Sequence, residues 1–365
     1  MKNLKIALFE PRKFAKGLLG GNITWLSHVS NGINALGHTC HVLTFSGNGK
    51  PSKNGYVNAN QRCEKTEDMT SVLDEYDFVI LNTLGMPGDR KLKLNNELPH
   101  WLKSLSKSKT KFSMYLHEEA FNLCKTYSFW KMLPTLKNFS GFAFANSNLY
   151  VDSYKKFKHY KNIDYFVVNL PYNTKTPSLD LSNKNKVFYT SMIGRSIKGY
   201  DRFFEAIPFI NYECRIYGRN LQFAGYNVLK RKEGFAQYYF GQYVQSDLAE
   251  MFKMCKVHVN PSRNPQNSKE LRNAVLSKGH LEYVTMDAVA HLCFPIVPVS
   301  CGSMLPNAYE VDTRESMQIA NAVNTAMSMP MSIFQKKVAE NFKFLKSKHS
   351  ITDVSKEIVK VLQRG

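Results

Sequence analysis

The chain has 365 residues, 43% of them apolar and 21% charged, more than one hydrophobic core usually holds and too apolar for disorder along its whole length. Lys plus Arg number 49 against 29 Asp plus Glu, a formal charge of +20, well beyond the ~2–8 that keeps a small domain soluble. That excess points to a polyanion (DNA, RNA or an anionic lipid surface), with a basic proteome as the plainer alternative. Seven cysteines, odd in number and without a Cys-x-x-Cys pair, argue against a zinc or disulfide framework and for a reducing cytoplasm. Met1–Ile6 is too short an apolar run for a secretory signal, and no stretch approaches the ~20 apolar residues of a membrane span. A soluble or at most peripheral protein is expected, with no stable membrane insertion.

Leu4–Phe9 predicts a buried strand, followed by a loop that ends in Gly20-Gly21-Asn22. Trp25, Val29, Ile33 and Leu36 then recur at helical spacing, Gly37-His38 closes the helix, and Cys40–Phe45 predicts a second strand. Strand, glycine loop, helix, glycine stop and strand make a βαβ unit and hence a parallel sheet. Further strands are expected at Phe78–Asn82, Lys111–Leu116, Gly141–Ala145 and Tyr165–Asn169. The whole is a Rossmann-like domain over residues 1–170.

Residues 171–186 are polar, with two prolines, and read as a linker. Alternation restarts in a second domain over residues 187–345. Its expected strands are Val187–Met192, Glu213–Tyr217, Gln237–Phe240, His258–Asn260 and Phe294–Val299, with helices at Tyr200–Ile207, Ser246–Met254 and Leu281–Ala290. The tail carries amphipathic helices at Ile333–Leu345 and Ile351–Leu362, and residues 346–365 are expected to pack back on the first domain.

Four segments have the residues for chemistry. Gly20-Gly21-Asn22 ahead of a helix suits an anion or a substrate backbone, and equally a tight turn. In Ser191–Gly199 a strand ends at glycines that bracket Arg195 and Lys198. Arg195 offers a fork for two phosphate oxygens and Lys198 a point charge, with glycines permitting close approach. Glu282 and Asp287 open a helix; their carboxylates suit sugar or ribose hydroxyls, though acids that merely complement the helix dipole account for the spacing alone. His117 follows the strand Lys111–Leu116, at the end of a parallel strand where ligands bind, although a lone histidine is more often structural. Basic segments laced with aromatics lie at Trp101–Lys111, Tyr154–Lys161 and Leu229–Lys232. Each also reads as a solvated face.

In order, Gly20-Gly21, Gly37-His38, Asn146-Ser147, Gly194-Arg195 with Lys198-Gly199, Ile216-Tyr217-Gly218, Phe240-Gly241, Asn260-Pro261-Ser262 and the Asp287–Pro295 run resemble a retaining GT-B glycosyltransferase over nearly the whole chain. The resemblance implies an α/β fold of two Rossmann-like domains facing each other across a cleft. The acceptor would be on the N-terminal side and the nucleotide sugar on the C-terminal side. Within that superfamily, His117 followed by an acid, Ile193-Gly194-Arg195, and Leu281-Glu282-Tyr283 with an acid five residues past Glu282 are similar to the T-even bacteriophage DNA α-glucosyltransferase and its arabinosyltransferase relatives. Those enzymes modify 5-hydroxymethylcytosine in duplex DNA.

By that likeness Arg195 and Lys198 hold the donor diphosphate and Asp287 the ribose hydroxyls. Glu282 faces the donor, His117 meets the transferred sugar or the reacting hydroxyl, Gly20 and Gly21 sit beneath the diphosphate, and Tyr217 and Gly218 join the donor site. The expected catalytic set is His117, Glu282 and Arg195. The implied donor is a UDP-sugar, UDP-glucose or UDP-arabinose, with no required metal, since no Asp-x-Asp occurs. The implied partner is double-stranded DNA with modified cytosine, in the cytoplasm of an infected host. The chain departs from the family pattern in having Asp287 for the usual Glu, a three-residue step from Arg195 to Lys198, Leu292 for the usual Gly, and no Glu-Gly-Phe-Gly element in residues 264–278. The competing readings are a GT-B enzyme of cell-envelope polysaccharide synthesis, whose basic N-terminal helix would expose aromatics to a membrane, and a non-catalytic DNA-binding protein on a transferase scaffold.

Overall fold

The computed structural model describes residues 3–10, 21–45, 61–64, 68–82, 100–117, 128–174, 181–190, 198–218, 234–241, 247–262, 281–299 and 304–364. The chain forms two compact units, Met1–Asn173 with His349–Gly365, and Thr174–Lys348.

In the first unit β1 (Lys5–Glu10), β2 (Thr39–Phe45), β3 (Gln61–Glu64), β4 (Phe78–Asn82), β5 (Lys111–Leu116), β6 (Phe139–Ala145) and β7 (Asp164–Val167) form one parallel sheet among the described residues, in the order β3-β2-β1-β4-β5-β6-β7. The central strands read KIALFE and FVILN and are buried along almost their whole length, as a sheet covered on both faces requires. Helices α1 (Gly21–Ala35), α2 (Thr70–Leu73), α3 (His100–Lys107) and α4 (Asn148–Lys155) belong to this unit. On α1 the buried residues Trp25, Val29 and Ile33 form the predicted stripe. Its end is a Schellman turn, with His38 N–H donating to Ile33 O at 3.3 Å and Gly37 in the left-handed region.

The second unit contains β8 (Lys186–Thr190), α5 (Tyr200–Ala206), β9 (Cys214–Tyr217), α6 (Phe235–Tyr238), α7 (Leu248–Phe252), β10 (Cys255–Val259), α8 (Tyr283–Ala290), β11 (Phe294–Pro298), β12 (Tyr309–Val311), α9 (Ser316–Met327) and α10 (Met331–Lys348). Its parallel sheet runs β12-β11-β10-β8-β9 among the described residues. Residues 345 and 346 both lie within α10, and the units part between Lys348 and His349. The chain then re-enters the first unit as α11 (Ile351–Leu362), capped by the Ser350 hydroxyl. There α11 packs on α1 so closely that a β-carbon at Gly32 would stand 2.1 Å from Ser355 Oγ.

Three local differences from the sequence reading have simple causes. Residues Gln237–Phe240 were expected as a strand; instead 235–238 turn as α6 after a left-handed Gly234, and only Tyr239 bridges to Ile216 on the edge strand β9. Strands β3 and β12 were not expected, because QRCE and YEV are short, mixed-polarity runs at sheet edges that give little periodicity. Leu292, where the resembled family has glycine, is left-handed (φ 58°) at the end of α8. Cys293 N–H reaches back to Ala288 O at 2.9 Å in a second Schellman turn, and the Leu292 side chain, 2% exposed, is anchored in the core.

Candidate functional site

In an open parallel sheet the crevice for ligands forms at the carboxyl ends of strands where the strand order reverses. In the second unit that point lies between β8 and β10. Lys198 and Gly199 stand between β8 and α5, just ahead of α5, and the chain leaves β10 as Asn260-Pro261-Ser262.

These two segments meet. Gly199 is left-handed (φ 67°), and a β-carbon there would lie 2.2 Å from the carbonyl oxygen of Pro261. Only glycine satisfies both the dihedral and the contact. The Tyr189 hydroxyl donates to Lys198 O at 3.1 Å, which ties Lys198 back to β8.

The Lys198 ammonium donates to Glu282 Oε1 at 2.8 Å, with side chains only 14% and 9% exposed. Glu282 Oε2 accepts from Ser262 Oγ at 2.8 Å and from Asn260 Nδ2 at 3.2 Å, and Asn260 also donates to Thr285 Oγ1 at 2.8 Å. Glu282 is the extended N-cap residue of α8, but its carboxylate turns to these partners and not to the helix's own amides. Lysine on one oxygen and two donors on the other fix the carboxylate, which in turn fixes the ammonium.

Beneath this network, within the sheet, Thr190 Oγ1 and His258 Nε2 are 2.8 Å apart. His258 is fully buried, and loss of hydration pushes its pKa down to about 3. It is therefore neutral at physiological pH.

The structure thus brings Lys198 and Glu282 together, with Asn260 and Ser262 as partners the sequence reading had not assigned to the site. A polar pair flanking a proline at the end of a buried strand was the available signal, since Pro261 cannot extend the strand. Asp287 lies further along α8, 9% exposed. Tyr217 ends β9, its ring 5.1 Å from Phe188 and 5.7 Å from Phe240. Phe240 is 46% exposed and backed by the Arg215 guanidinium at 4.4 Å. Gly218 is held by the neighbouring segment, its N–H donating to Gly241 O and its carbonyl accepting from the Tyr239 hydroxyl. Gly21 is the first residue of α1. Gly20, Arg195 and the basic segment 229–232 lie outside the described residues.

In the first unit the order reverses between β1 and β4. Glu10 and Asn82 end those strands, each 1% exposed, and Asn82 Nδ2 donates to Glu10 Oε2 at 2.8 Å. His117 stands at the end of the adjacent β5, 5% exposed, its ring edge-on to Trp25 at 5.0 Å and tilted on Tyr115 at 4.5 Å. The acid that closes the apolar run of β1, just ahead of Pro11, was the legible sign of this second polar pair.

In the two described basic segments the lysines lie at the surface and the aromatics pack inward, Phe157 only partly buried. Trp101, Tyr154 and Tyr160 are core residues, 3%, 0% and 0% exposed, while the lysines around them are exposed. The aromatic face that docking of α3 on a membrane would need is therefore turned inward. No helix among the described residues is long and apolar enough to cross a membrane, and none of the described His, Cys, Asp and Glu side chains group as metal ligands.

No protein-family model and no curated protein matches the sequence. The architecture does match solved structures along its length. HepE of Anabaena in complex with UDP and glucose superposes with a TM-score of 0.69 at 13% identity, covering 100% of both chains. An alpha-glucosyltransferase in complex with UDP and a 13-mer DNA containing a HMU base gives 0.71 at 14% identity, over 99% of this chain and 100% of that one. A glycosyltransferase from Rickettsia africae gives 0.67 at 15% identity, over 100% and 99%. With two parallel-sheet, Rossmann-like units matched from end to end, the chain has the GT-B fold of these glycosyltransferases.

Proposed function

We propose that the protein is a retaining glycosyltransferase that moves glucose or arabinose from a UDP-sugar to the hydroxymethyl group of 5-hydroxymethylcytosine in duplex DNA. In an infected bacterium such a modification protects phage DNA from host nucleases. The observation that carries the reading is the Lys198–Glu282 pair, locked by Asn260 and Ser262 at the strand-order reversal of the second unit.

In this reading the donor diphosphate lies against Lys198 and Gly199 with Arg195, the uridine end lies by Tyr217 and Gly218, and Asp287 takes the ribose hydroxyls. As the glycosidic bond breaks, the sugar gains oxocarbenium character and negative charge builds on the departing diphosphate. A preoriented ammonium stabilises that charge without reorganising. Glu282 acts as a positioning residue through Lys198, and His117 serves the acceptor side with the Glu10–Asn82 pair nearby in the sheet. A hydroxyl on a stacked base is inaccessible, so the nucleotide flips out at a cost of a few kcal/mol, offset by lysine–phosphate contacts.

Mass spectrometry of nucleosides, after incubating hydroxymethylated and unmodified duplexes with UDP-glucose or UDP-arabinose, tests the reading. Sugar on hydroxymethylcytosine alone, lost in Arg195→Ala, is expected. UDP release with no nucleoside adduct from either donor would sink it.

A further inference from the structure

All strands of the first sheet are parallel, so the segments that lead into them share its amino edge, opposite the edge where Glu10, Asn82 and His117 stand. Residues 107–111, 136–138 and 155–164 lead into β5, β6 and β7, three adjacent strands. Together they contain eight lysines and one acid, Asp164. All eight lysines are exposed. The charge changes sign at the next strands along the same edge. Asp74 and Asp77 precede β4, and Glu75 pairs with Lys5. The Asp74 carboxylate is occupied by the Ser108 hydroxyl at 2.6 Å and the Lys109 amide at 2.8 Å, and Asp68 lies near Lys107.

From this placement we infer that the amino edge of β5–β7 is a second contact surface for the phosphate backbone of duplex DNA, separate from the edge that serves the acceptor base. The inference rests on duplex DNA being the acceptor polymer. Chemistry on the page selects the occupant. The segments hold lysines and no arginine, which suits point contacts to phosphate and not bidentate reading of base edges. Of their aromatics, Tyr160 is fully buried and Phe157 is partly buried against the core with the Lys131 ammonium 5.9 Å from its ring, so no exposed aromatic stands among these lysines to stack on an unpaired base or to enter a membrane interface. β5 has six residues at ~3.3 Å each, so the surface lies ~20 Å from His117, about six base pairs along a duplex. A short duplex engaged at the acceptor edge does not reach it; a long one does.

The test is fluorescence anisotropy of an unmodified 30-base-pair duplex across a salt series. It compares wild type, the triple variants Lys107→Gln/Lys109→Gln/Lys111→Gln and Lys156→Gln/Lys158→Gln/Lys161→Gln, and a control with the same charge loss, Lys336→Gln/Lys343→Gln/Lys346→Gln on α10. Each edge variant is expected to lose at least about tenfold in affinity at 0.1 M salt, and its log K against log salt slope to fall by about 0.9 per lost phosphate contact. The control keeps the wild-type slope, and UDP binding is unchanged in all. Edge variants with wild-type affinity and slope would overturn the inference. So would edge variants that lose binding to vesicles containing phosphatidylglycerol but not to the duplex. A wild-type protein that transfers no sugar to DNA, while its edge variants still lose duplex binding, would remove the transfer reading and leave the surface standing.

Discussion

Replacing Gly199 by alanine probes the candidate donor site without touching a charged group. Alanine at φ 67° carries the left-handed penalty of about 1–2 kcal/mol. Its β-carbon would also meet the Pro261 carbonyl oxygen at 2.2 Å, roughly 1 Å inside ordinary contact, and a backbone atom cannot rotate away. Either Lys198-Gly199 or the Asn260-Pro261-Ser262 segment has to move by about that much. Both carry partners of Glu282, so the lysine and its carboxylate are pulled out of register. The combined cost is about 3 kcal/mol, a melting-temperature loss of ~6–12 °C for a unit of this size. A displacement of ~1 Å at a binding group costs up to about 100-fold in productive binding. Gly141→Ala is the matched control: its φ is 84°, but nothing lies within 4 Å of the added carbon, so it bears the dihedral penalty alone. Calorimetric melting and UDP titration of both variants decide the matter. If Gly199→Ala and Gly141→Ala melt alike and bind UDP alike, the contact with Pro261 does not hold Lys198 in place and the argument fails.

Acid should destabilise the second unit through His258. Its folded pKa of about 3 lies below the unfolded value of 6.5, so stability is complete above pH 6.5 and declines as pH falls from there toward 3. The loss amounts to ~2 kcal/mol at pH 5. Melting curves from pH 7 to 4.5 should show a shallower acid limb in His258→Gln than in wild type; parallel limbs would refute the assignment. Gly32→Ala should lower the melting temperature even though alanine is the better helix former by about 1 kcal/mol, because the new carbon meets Ser355 and Ile351 of α11. Ser355→Gly in the same chain should restore part of the loss, and an unchanged or raised melting temperature in Gly32→Ala alone would contradict the packing. Leu292→Gly should relieve about 1 kcal/mol of left-handed strain yet forfeit a side chain 2% exposed, worth ~2–5 kcal/mol on truncation. Net destabilisation of ~2 kcal/mol in urea titration is expected; a more stable variant would show that the core tolerates the cavity.

Sequence alone determined the parts of this protein that follow from local regularity. Apolar runs such as KIALFE and FVILN, the stripe through Trp25, Val29 and Ile33, and the glycine stop at Gly37 specify buried parallel strands and their crossover helices, because periodicity and backbone freedom are properties of neighbouring residues. Lys198 and Glu282 were also legible as chemistry-bearing residues, from the glycines beside one and the helix start at the other. Their pairing was not, since 84 residues separate them and only the reversal of strand order between β8 and β10 brings them within 2.8 Å. Nor did the strings WLKSLSKSKTK and YKKFKHYK reveal that their aromatics pack inward and their lysines lie at the surface. That division depends on which side of each segment the sheet covers, and the shared edge of the lysines depends on β5, β6 and β7 being parallel neighbours. Tertiary structure alone decides such relations, because they join residues that no local pattern connects.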